Sequence, residues 1–503
     1  MANPLYDRLF APHEGKSSTF LHLPDGGVLT HDAFLRRAAQ FAHAIHAMGL
    51  VHGDRLAMQV EKSPEALMLI AACIQAGVIF VPLNTAYTPA ELAYFLENSG
   101  AGMFVADGTR AEALRPVAGA AGSRLETLNA DGTGSLPAAA SGMPEAYDAE
   151  PRTEDNIAAF LYTSGTTGRS KGAMLTERNL ISNAEALAAA WRFSADDVLL
   201  HALPIFHSHG LFVATNVTLV AGGAMILLPK FDVDSVTAAL PRATAMMGVP
   251  TFYTRLLEDP RFTRDLVAHM RLFVSGSAPL LAETHRAFED RTGHRILERY
   301  GMTETNMNTS NPYDGPRIAG TVGTALPGVE VKVTDPETGA ERPRGEIGMI
   351  EVRGPNVFKG YWQMPEKTRD ELRADGFFIT GDLGQIDERG YVTIVGRAKD
   401  LIISGGYNIY PKEIELALDA QPGVKESAVI GVPHADFGEA VVAVLVPEAG
   451  AALDTGAIAA ALRESLAGFK LPRRFEIAEA LPRNTMGKVQ KTVLRARFAD
   501  SFA

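Results

Sequence analysis

Residues Tyr162-Thr-Ser-Gly-Thr-Thr-Gly-Arg-Ser-Lys-Gly172 place three glycines and five serine or threonine hydroxyls in one short stretch. The apolar run 157–161 precedes it and a helix-like segment near 180–187 follows, so the stretch is expected to be a loop from a strand into a helix. Gly165, Gly168 and Gly172 let backbone approach a ligand closely. Thr163, Ser164, Thr166, Thr167 and Ser170 offer hydrogen-bond donors and Lys171 a charge, which together suit phosphate. A Walker A loop needs Gly-x-x-x-x-Gly-Lys-Ser/Thr; that spacing is missing, which disfavours a P-loop ATPase or GTPase. A mere flexible Ser/Gly turn fits poorly, because ordered elements bracket the stretch and one lysine stands among many donors.

Thr163-Ser-Gly-Thr-Thr-Gly-x-x-Lys-Gly172 resembles the signature of the adenylate-forming superfamily: acyl- and aryl-CoA synthetases, peptide-synthetase adenylation domains and beetle luciferases. The resemblance implies that Thr163, Ser164, Gly165, Thr166, Thr167, Gly168 and Lys171 hold ATP.

The chain of 503 residues exceeds the size at which one core keeps growing, so two or more domains are expected. Lys and Arg number 47 against 59 Asp and Glu, a net charge of −12, which argues against nucleic acid as a partner. Small anionic substrates must then be met by local positive charge. Cys73, the one cysteine, has no internal disulfide partner and lies in an apolar run, where it reads as a small buried hydrophobe in a reducing compartment. No basic start leads into an apolar core, and no run reaches the ~18 apolar residues of a membrane span. A cytoplasmic protein without membrane partners is expected.

In chain order, 30–50 reads as an amphipathic helix with Phe34, Ala38, Phe41, Ile45 and Met48 on one face and Gly49 after it. Strand 55–60, helix 64–76, strand 78–82 and a helix from Pro89 follow, an alternation that implies a parallel sheet with covered faces. Residues 117–150, rich in Ala, Gly, Ser and Pro without periodicity, are expected to be a surface excursion. Apolar runs at 198–203 and 224–228 predict buried strands, with Pro204-Ile-Phe-His-Ser-His-Gly210 between them. That segment resembles the superfamily's motif bordering the acyl pocket, which implicates His207. His207 and His209 lack Cys, Asp or Glu companions, which disfavours a metal pair.

Runs 272–275 and 295–298 read as strands ending in Gly276-Ser-Ala-Pro279 and Arg299-Tyr-Gly-Met-Thr-Glu-Thr305, loops at strand carboxyl ends where open α/β sheets bind ligands. By resemblance, Ser277, Ala278, Glu298 and Tyr300 lie with the nucleotide, Thr303 near phosphate, Gly301 and Met302 with the acid substrate, and Glu304 on magnesium. One carboxylate with the triphosphate suffices for that hard ion. From about 320 short alternating segments at 329–333, 348–352 and 392–395 suggest a β-rich subdomain. Thr380-Gly-Asp382 resembles the ribose motif, with Asp382 accepting from the hydroxyls. Gly396-Arg-Ala-Lys-Asp400 resembles the hinge, with Lys399 as pivot and Arg397 reaching the nucleotide.

Ser404, Gly405 and Gly406 are expected against the pantetheine arm of CoA, helix 411–420 and strands 427–431 and 441–446 build a small α+β domain, and Lys488 in Pro482-Arg-Asn-Thr-Met-Gly-Lys488 resembles the catalytic C-terminal lysine. Alone, Lys488 and Lys491 would read as surface lysines. Together with the resemblance the fold class is α/β: an N-terminal domain, 1–396, of layered parallel-rich sheets with helices and a β-rich subdomain near 320–396. A hinge at 397–400 and a small mobile α+β domain at 401–503 complete it.

The chemistry implied is adenylation of a carboxylate by ATP with magnesium, then thioester formation with CoA; no Gly-x-Ser-x-Gly elbow occurs in these loops. The polar stretch Met302-Thr-Glu-Thr-Asn-Met-Asn-Thr-Ser-Asn-Pro-Tyr-Asp314 and Gly276-Ser-Ala-Pro-Leu-Leu-Ala-Glu-Thr-His-Arg286 resemble malonyl-CoA synthetases. That resemblance implicates Arg286 with His207 for the distal carboxylate, and makes methylmalonate a second candidate substrate. Periodicity alone sets Arg286 about 140° from the Leu281/Phe288 stripe, a solvated position. A short-chain acyl-CoA synthetase, an adenylation enzyme loading a carrier protein, and a non-catalytic nucleotide binder are the rivals. No carrier domain is expected after residue 503, and a binder has no use for Lys488. Capping Lys488 by a lysine acyltransferase would abolish its charge.

Overall fold

The computed structural model describes residues 2–163, 170–404, 407–434, 436–484 and 487–502, with Asn408 by its backbone alone. Contacts divide the chain into two compact units, Met1–Glu330 with Val352–Phe378, and Val331–Glu351 with Ile379–Ala503.

The first unit holds two sheets. One runs in the order Arg124–Thr127, Met103–Ala106, Arg55–Gln59, Ile79–Pro82, Ile157–Thr163, Lys171–Thr176, parallel throughout except for its last strand. Ile79–Pro82 and Met103–Ala106 are buried at every residue, the texture of strands covered on both faces. Helix Pro64–Gln75 starts on a Ser63 cap with proline in its first turn, and residues 66–75 are all buried. Apolar on every side, it can only be an interior helix. Cys73 is part of that burial, as its apolar run foretold.

The other sheet has nine strands, and its central six are parallel in the order Leu297–Met302, Leu272–Ser275, Ala245–Gly248, Val198–His201, Ala224–Leu227, Thr19–His22. Leu200, Met246 and Phe273 from these strands pack with Tyr253, Phe262 and Phe288 from the covering segments. Each fully buried aromatic contributes about 2–3 kcal/mol, so this layer holds the strand ends in fixed positions.

In the second unit, strand Val392–Arg397 pairs antiparallel with Phe378–Ile386, nearly all of which lies in this unit. A separate five-stranded sheet is centred on the hairpin Val424–His434 and Gly438–Pro447, with Arg474–Ile477 added parallel. Helix Pro411–Asp419 places Ile414 and Leu418 in its core with Val429, Val441 and Leu445.

The structure corrects several expectations. Residues 117–150 are not a bare excursion: they include the end of helix Ala111–Ala120, edge strand Arg124–Thr127 and helix Ser135–Ala140. An edge strand needs little apolar patterning, which is why Arg-Leu-Glu-Thr escaped notice. The 162–172 stretch joins strand Ile157–Thr163 to an antiparallel strand, Lys171–Thr176, and helix Glu177–Ala190 begins only afterwards on a Thr176–Asn179 capping box. The 299–305 segment is partly strand: Leu297–Met302 turns back antiparallel into Asn306–Ser310.

That last strand is buried at every residue although it reads Asn-Met-Asn-Thr-Ser. Part of this polar segment is used internally. Thr309 Oγ1 donates to Val322 O (2.7 Å), Ser310 Oγ accepts from Trp191 Nε1 (2.9 Å), and Asn356 Nδ2 donates to Thr305 O (2.7 Å). The polar stretch therefore ties neighbouring segments together in part, while Asn306 Nδ2 and Oδ1 and Asn308 Nδ2 are buried without a hydrogen-bond partner among the described residues.

Candidate active site

Lys171 opens its strand, and the segment 359–362 lies alongside: Trp362 N–H donates to Gly172 O (2.8 Å) and Met174 N–H to Gly360 O (2.9 Å). This register sets Tyr361 beneath the lysine. Lys171 Nζ stands 4.1 Å from the centre of the Tyr361 ring and 3.3 Å from Glu371 Oε2, at the end of helix Pro365–Glu371. Tyr361 OH is 2.6 Å from Glu371 Oε2 and 2.9 Å from Glu304 Oε1. Burial, then the charge of Glu304, pushes the Tyr361 phenol well above its ordinary range, so it keeps its proton.

One phenolic proton cannot serve two carboxylates at once. A hard dication suits carboxylate oxygen: Glu304 would hold magnesium together with phosphate oxygens. Among the described residues no group of three or more His, Cys, Asp and Glu side chains could hold a metal by itself. Thr163 ends strand Ile157–Thr163 with its hydroxyl buried and unpartnered among the described residues. Ser164, Gly165, Thr166, Thr167 and Gly168 lie outside the described residues.

After strand Val198–His201 the chain runs through 204–208 into a π-helical turn, His209–Thr215. Single π turns recur at functional sites. Gly210 is obligatory there, since a Cβ would stand 2.1 Å from Pro204 O. Lys62, buried, anchors the start of the loop by donating to His201 Nδ1 (2.8 Å), His201 O (2.7 Å) and Leu203 O (3.0 Å). His201 Nε2 meets Gly210 O at 2.8 Å. His207 Nδ1 accepts from the His209 N–H (3.2 Å), and His209 Nδ1 meets Ser277 Oγ at 3.1 Å. Burial, then nearby Arg299, holds the His209 pKa well below the usual value, leaving a neutral ring.

Ser277 takes a left-handed backbone, φ 71°, a strained conformation for a residue with a Cβ. Ala278 follows, partly exposed, and Glu298 Oε1 accepts from the Leu280 N–H at 3.2 Å, tying this loop to the next strand. Tyr300, Gly301, Met302 and Thr303 are half-buried along the hairpin, while Glu304 is buried. Gly301 admits no side chain, because a Cβ would lie 1.9 Å from Asn306 O. Arg286 is exposed on helix Ala282–Thr292, whose buried face is His285, Phe288 and Thr292.

In the second unit, Asp382 and Arg397 are direct cross-strand partners joined by a 2.7 Å ion pair. Thr380 Oγ1 accepts from the Asp382 N–H (3.0 Å) and donates to Ile350 O (2.8 Å), which orients the carboxylate. Lys399 sits in the 3-10 turn Ala398–Asp400, its pKa lowered by burial, and Asp400 is held by Arg495 at 2.7 Å. Ser404 is buried at the end of a short strand; Gly405 and Gly406 lie outside the described residues. Lys488 is exposed on a turn closed by Lys488 N–H to Asn484 Oδ1 (3.0 Å) and Asn484 N–H to Lys488 O (2.9 Å). Lys491 pairs with Glu415 at 2.5 Å.

The family model of AMP-binding enzymes matches residues 12–362, and that of the AMP-binding enzyme C-terminal domain matches 413–488. The chain belongs to the AMP-binding enzyme family. This AMP-binding enzyme is 39% identical to a feruloyl-CoA synthase of Amycolatopsis sp, over 94% of each chain. It is 34% identical to a malonate–CoA ligase of Arabidopsis thaliana, which covers 97% of this chain and 86% of the relative. Among solved structures, ATP-bound MatB from Rhodopseudomonas palustris is 57% identical over the whole of both chains, with a TM-score of 0.98.

Sequence reasoning about this AMP-binding enzyme missed Tyr361 and Glu371, which link Lys171 to Glu304, and Lys62, which braces the histidine loop. Lys62 left one legible signal: a lysine at the junction of an apolar strand and an apolar helix. Tyr361 and Glu371 left none, lying almost 200 residues beyond the lysine they meet.

Proposed function

We propose that this enzyme is an AMP-forming malonyl-CoA synthetase, converting ATP, malonate and CoA to malonyl-CoA, AMP and pyrophosphate. The Lys171–Tyr361–Glu304 cluster carries the adenylating half of this reading, since it sets a cation and a carboxylate around one phenol in the unit that bears the phosphate loop. The choice of malonate is supported by the relative named malonate–CoA ligase and by the motif resemblance. Methylmalonate, one methyl larger, is accepted as a second substrate, because a methyl is worth only about 1 kcal/mol of discrimination.

In the first half-reaction a malonate oxygen attacks the α-phosphorus and pyrophosphate departs with the bridging oxygen. Lys171 and Lys488 offset the negative charge that develops, Asp382 accepts from the ribose hydroxyls, and Arg397 reaches the nucleotide. Magnesium bound at Glu304 supplies further charge neutralisation at the phosphates. In the second, the CoA sulfur attacks the adenylate carbonyl, AMP leaves, and the thiol proton passes to solvent. Ser404, Gly405 and Gly406 line the pantetheine arm in this reading, with Lys399 as the pivot between half-reactions. Arg286 and His207 are the sequence-derived candidates for the distal carboxylate. Lys488, exposed on its turn, is also the lysine a cytoplasmic acyltransferase would modify to silence adenylation.

The test is AMP formation with ATP, magnesium and CoA across acetate, butyrate, malonate, methylmalonate, succinate, benzoate and ferulate. Turnover confined to malonate and methylmalonate is expected. Preference for a monocarboxylate retains the ligase and rejects malonate; adenylate formed but passed only to a carrier protein rejects CoA as acceptor.

A further inference from the structure

Lys62 is 7% exposed, and its three hydrogen bonds among the described residues all go to neutral acceptors: His201 Nδ1, His201 O and Leu203 O. Burial alone depresses its pKa, with no neighbouring carboxylate to oppose the shift. Taking an ammonium out of water without a counter-ion costs several kcal/mol, and an apolar side chain of similar length fills such a place at lower cost. Packing therefore does not account for a lysine here. What its donors hold does.

They hold a helical turn in an uncommon register. With Nδ1 accepting from Lys62, the buried, neutral His201 carries its proton on Nε2 and donates it to Gly210 O at 2.8 Å. Thr215 Oγ1 donates to the same oxygen at 3.0 Å. Gly210 is the second residue of the π-helical turn His209–Thr215, and Thr215 is its last. In an α-helix the Gly210 carbonyl would meet the N–H four residues on; a π turn is one residue looser, and side chains inserted at a carbonyl are a cause of such departures. Close packing does not impose the register. A cavity of about 20 Å³, lined by Leu211, Phe212, Thr215 and Leu219 among others, lies against the turn, so that face lacks the contacts that would fix it.

We infer that Lys62 is a positioning residue for the acid-activating step: through His201 it fixes the π register of His209–Thr215, and with it the placing of segment 207–209. The register is a property of the fold; that the segment serves the acid rests on the malonyl-CoA synthetase reading. Without Lys62 the His201 ring loses the donor that sets its tautomer, and Gly210 O loses one of its two side-chain donors. The turn then relaxes toward the α register. A slip of one residue is about 100° of helix rotation, enough to take His209 Nδ1 from Ser277 Oγ, now at 3.1 Å. Lys171 and Glu304 stand on other segments, so the nucleotide side does not follow.

The test takes the full-length enzyme and its Lys62→Met, His201→Phe and double variants through the malonate and ATP dependence of AMP formation. Amide hydrogen exchange over 207–217 and the melting temperature are measured without ligand. Lys62→Met should raise the malonate KM about 10-fold and leave the ATP KM within about 2-fold. Exchange over 207–217 should quicken about 10-fold, while the melting temperature holds or rises because an apolar side chain replaces a buried charge. Since the two side chains act as one chain, the double variant should be no worse than the worse single variant. An unchanged malonate KM, a parallel rise in both KM values, unaltered exchange over 207–217, or additive effects in the double variant each overturns the assignment. If Lys62→Met does not fold, Thr215→Val removes the other side-chain donor to Gly210 O at nearly the same shape; the malonate KM should rise about 3-fold, and no rise overturns the assignment. Wild-type enzyme that prefers another acid rejects malonate as the substrate, and Lys62 is then judged on that acid's KM by the same limits.

Discussion

Lys171 is held ready but not free. Its Nζ shares Glu371 with Lys367, whose ammonium is 2.9 Å from Oε1, and with the Tyr361 hydroxyl. With Lys171 as the proposed phosphate ligand, an incoming triphosphate would compete with that carboxylate. Glu371→Gln keeps the hydrogen bond from Tyr361 and removes the competing charge, so the ATP KM should fall about 3-fold, a modest change for a partly exposed pair. Lys488 belongs to the other unit, and its backbone is held by Asn484 while Arg483 Nη1 donates to Gly487 O beside it. Lys488→Ala should reduce AMP formation from malonate by about 100-fold or more while sparing thioester formation from supplied malonyl-adenylate. Equal loss of both half-reactions would show that the lysine acts on structure instead.

The loop from strand Val198–His201 into the π-helical turn shows an element specified by sterics as much as by motif. Lys62 presents three donors to His201 Nδ1, His201 O and Leu203 O, the full complement of an ammonium, and His201 carries that order on to Gly210 O. Gly210 then passes so close to Pro204 O that even a methyl cannot be accommodated without moving backbone. Gly210→Ala should cost about 2–4 kcal/mol in urea unfolding and raise the malonate KM more than the ATP KM, because His207 and His209 shift with the turn. The 3-10 turn Ala398–Asp400 is the corresponding element of the second unit. Lys399→Pro fixes a backbone angle there, and thioester formation should fall further than adenylate formation when the two half-reactions are assayed separately.

At the scale of the whole molecule, buried histidines make stability depend on pH. His13 and His31 stack with ring centres 4.3 Å apart, each with Nε2 directed at a carbonyl oxygen, Leu219 O and Gly223 O. Burial, then the neighbouring His13, lowers the His31 pKa to about 4. A lowered folded-state value means that the unfolded chain takes up the proton first as pH falls below about 6.5. Stability is therefore whole above that pH and drains away between roughly 6.5 and 4, by about 2 kcal/mol from this residue at pH 5. The melting temperature should drop between pH 7 and 5, and the drop should be smaller in His31→Gln; an identical drop would assign the acid sensitivity to other groups.

The sequence by itself determined the alternating strands and helices of the N-terminal region, because each is written in a local run of residues with its own periodicity. It also read helix 30–50 correctly, since a 3.6-residue stripe ending at Gly49 needs no partner to be recognised. It could not read edge strand Arg124–Thr127, whose single leucine has no pattern, nor that Lys171 begins a strand rather than preparing a helix. Tertiary structure decided what the polar groups are for. Within Asn306–Asn311, Asn311 Nδ2 is spent inside the fold on Glu298 O, whereas Asn306 Nδ2 and Oδ1 and Asn308 Nδ2 are buried without a hydrogen-bond partner among the described residues. The reason is physical: a hydrogen bond or an unpaired charge is a relation between residues far apart in the chain, and only the packed core sets which donors find an acceptor.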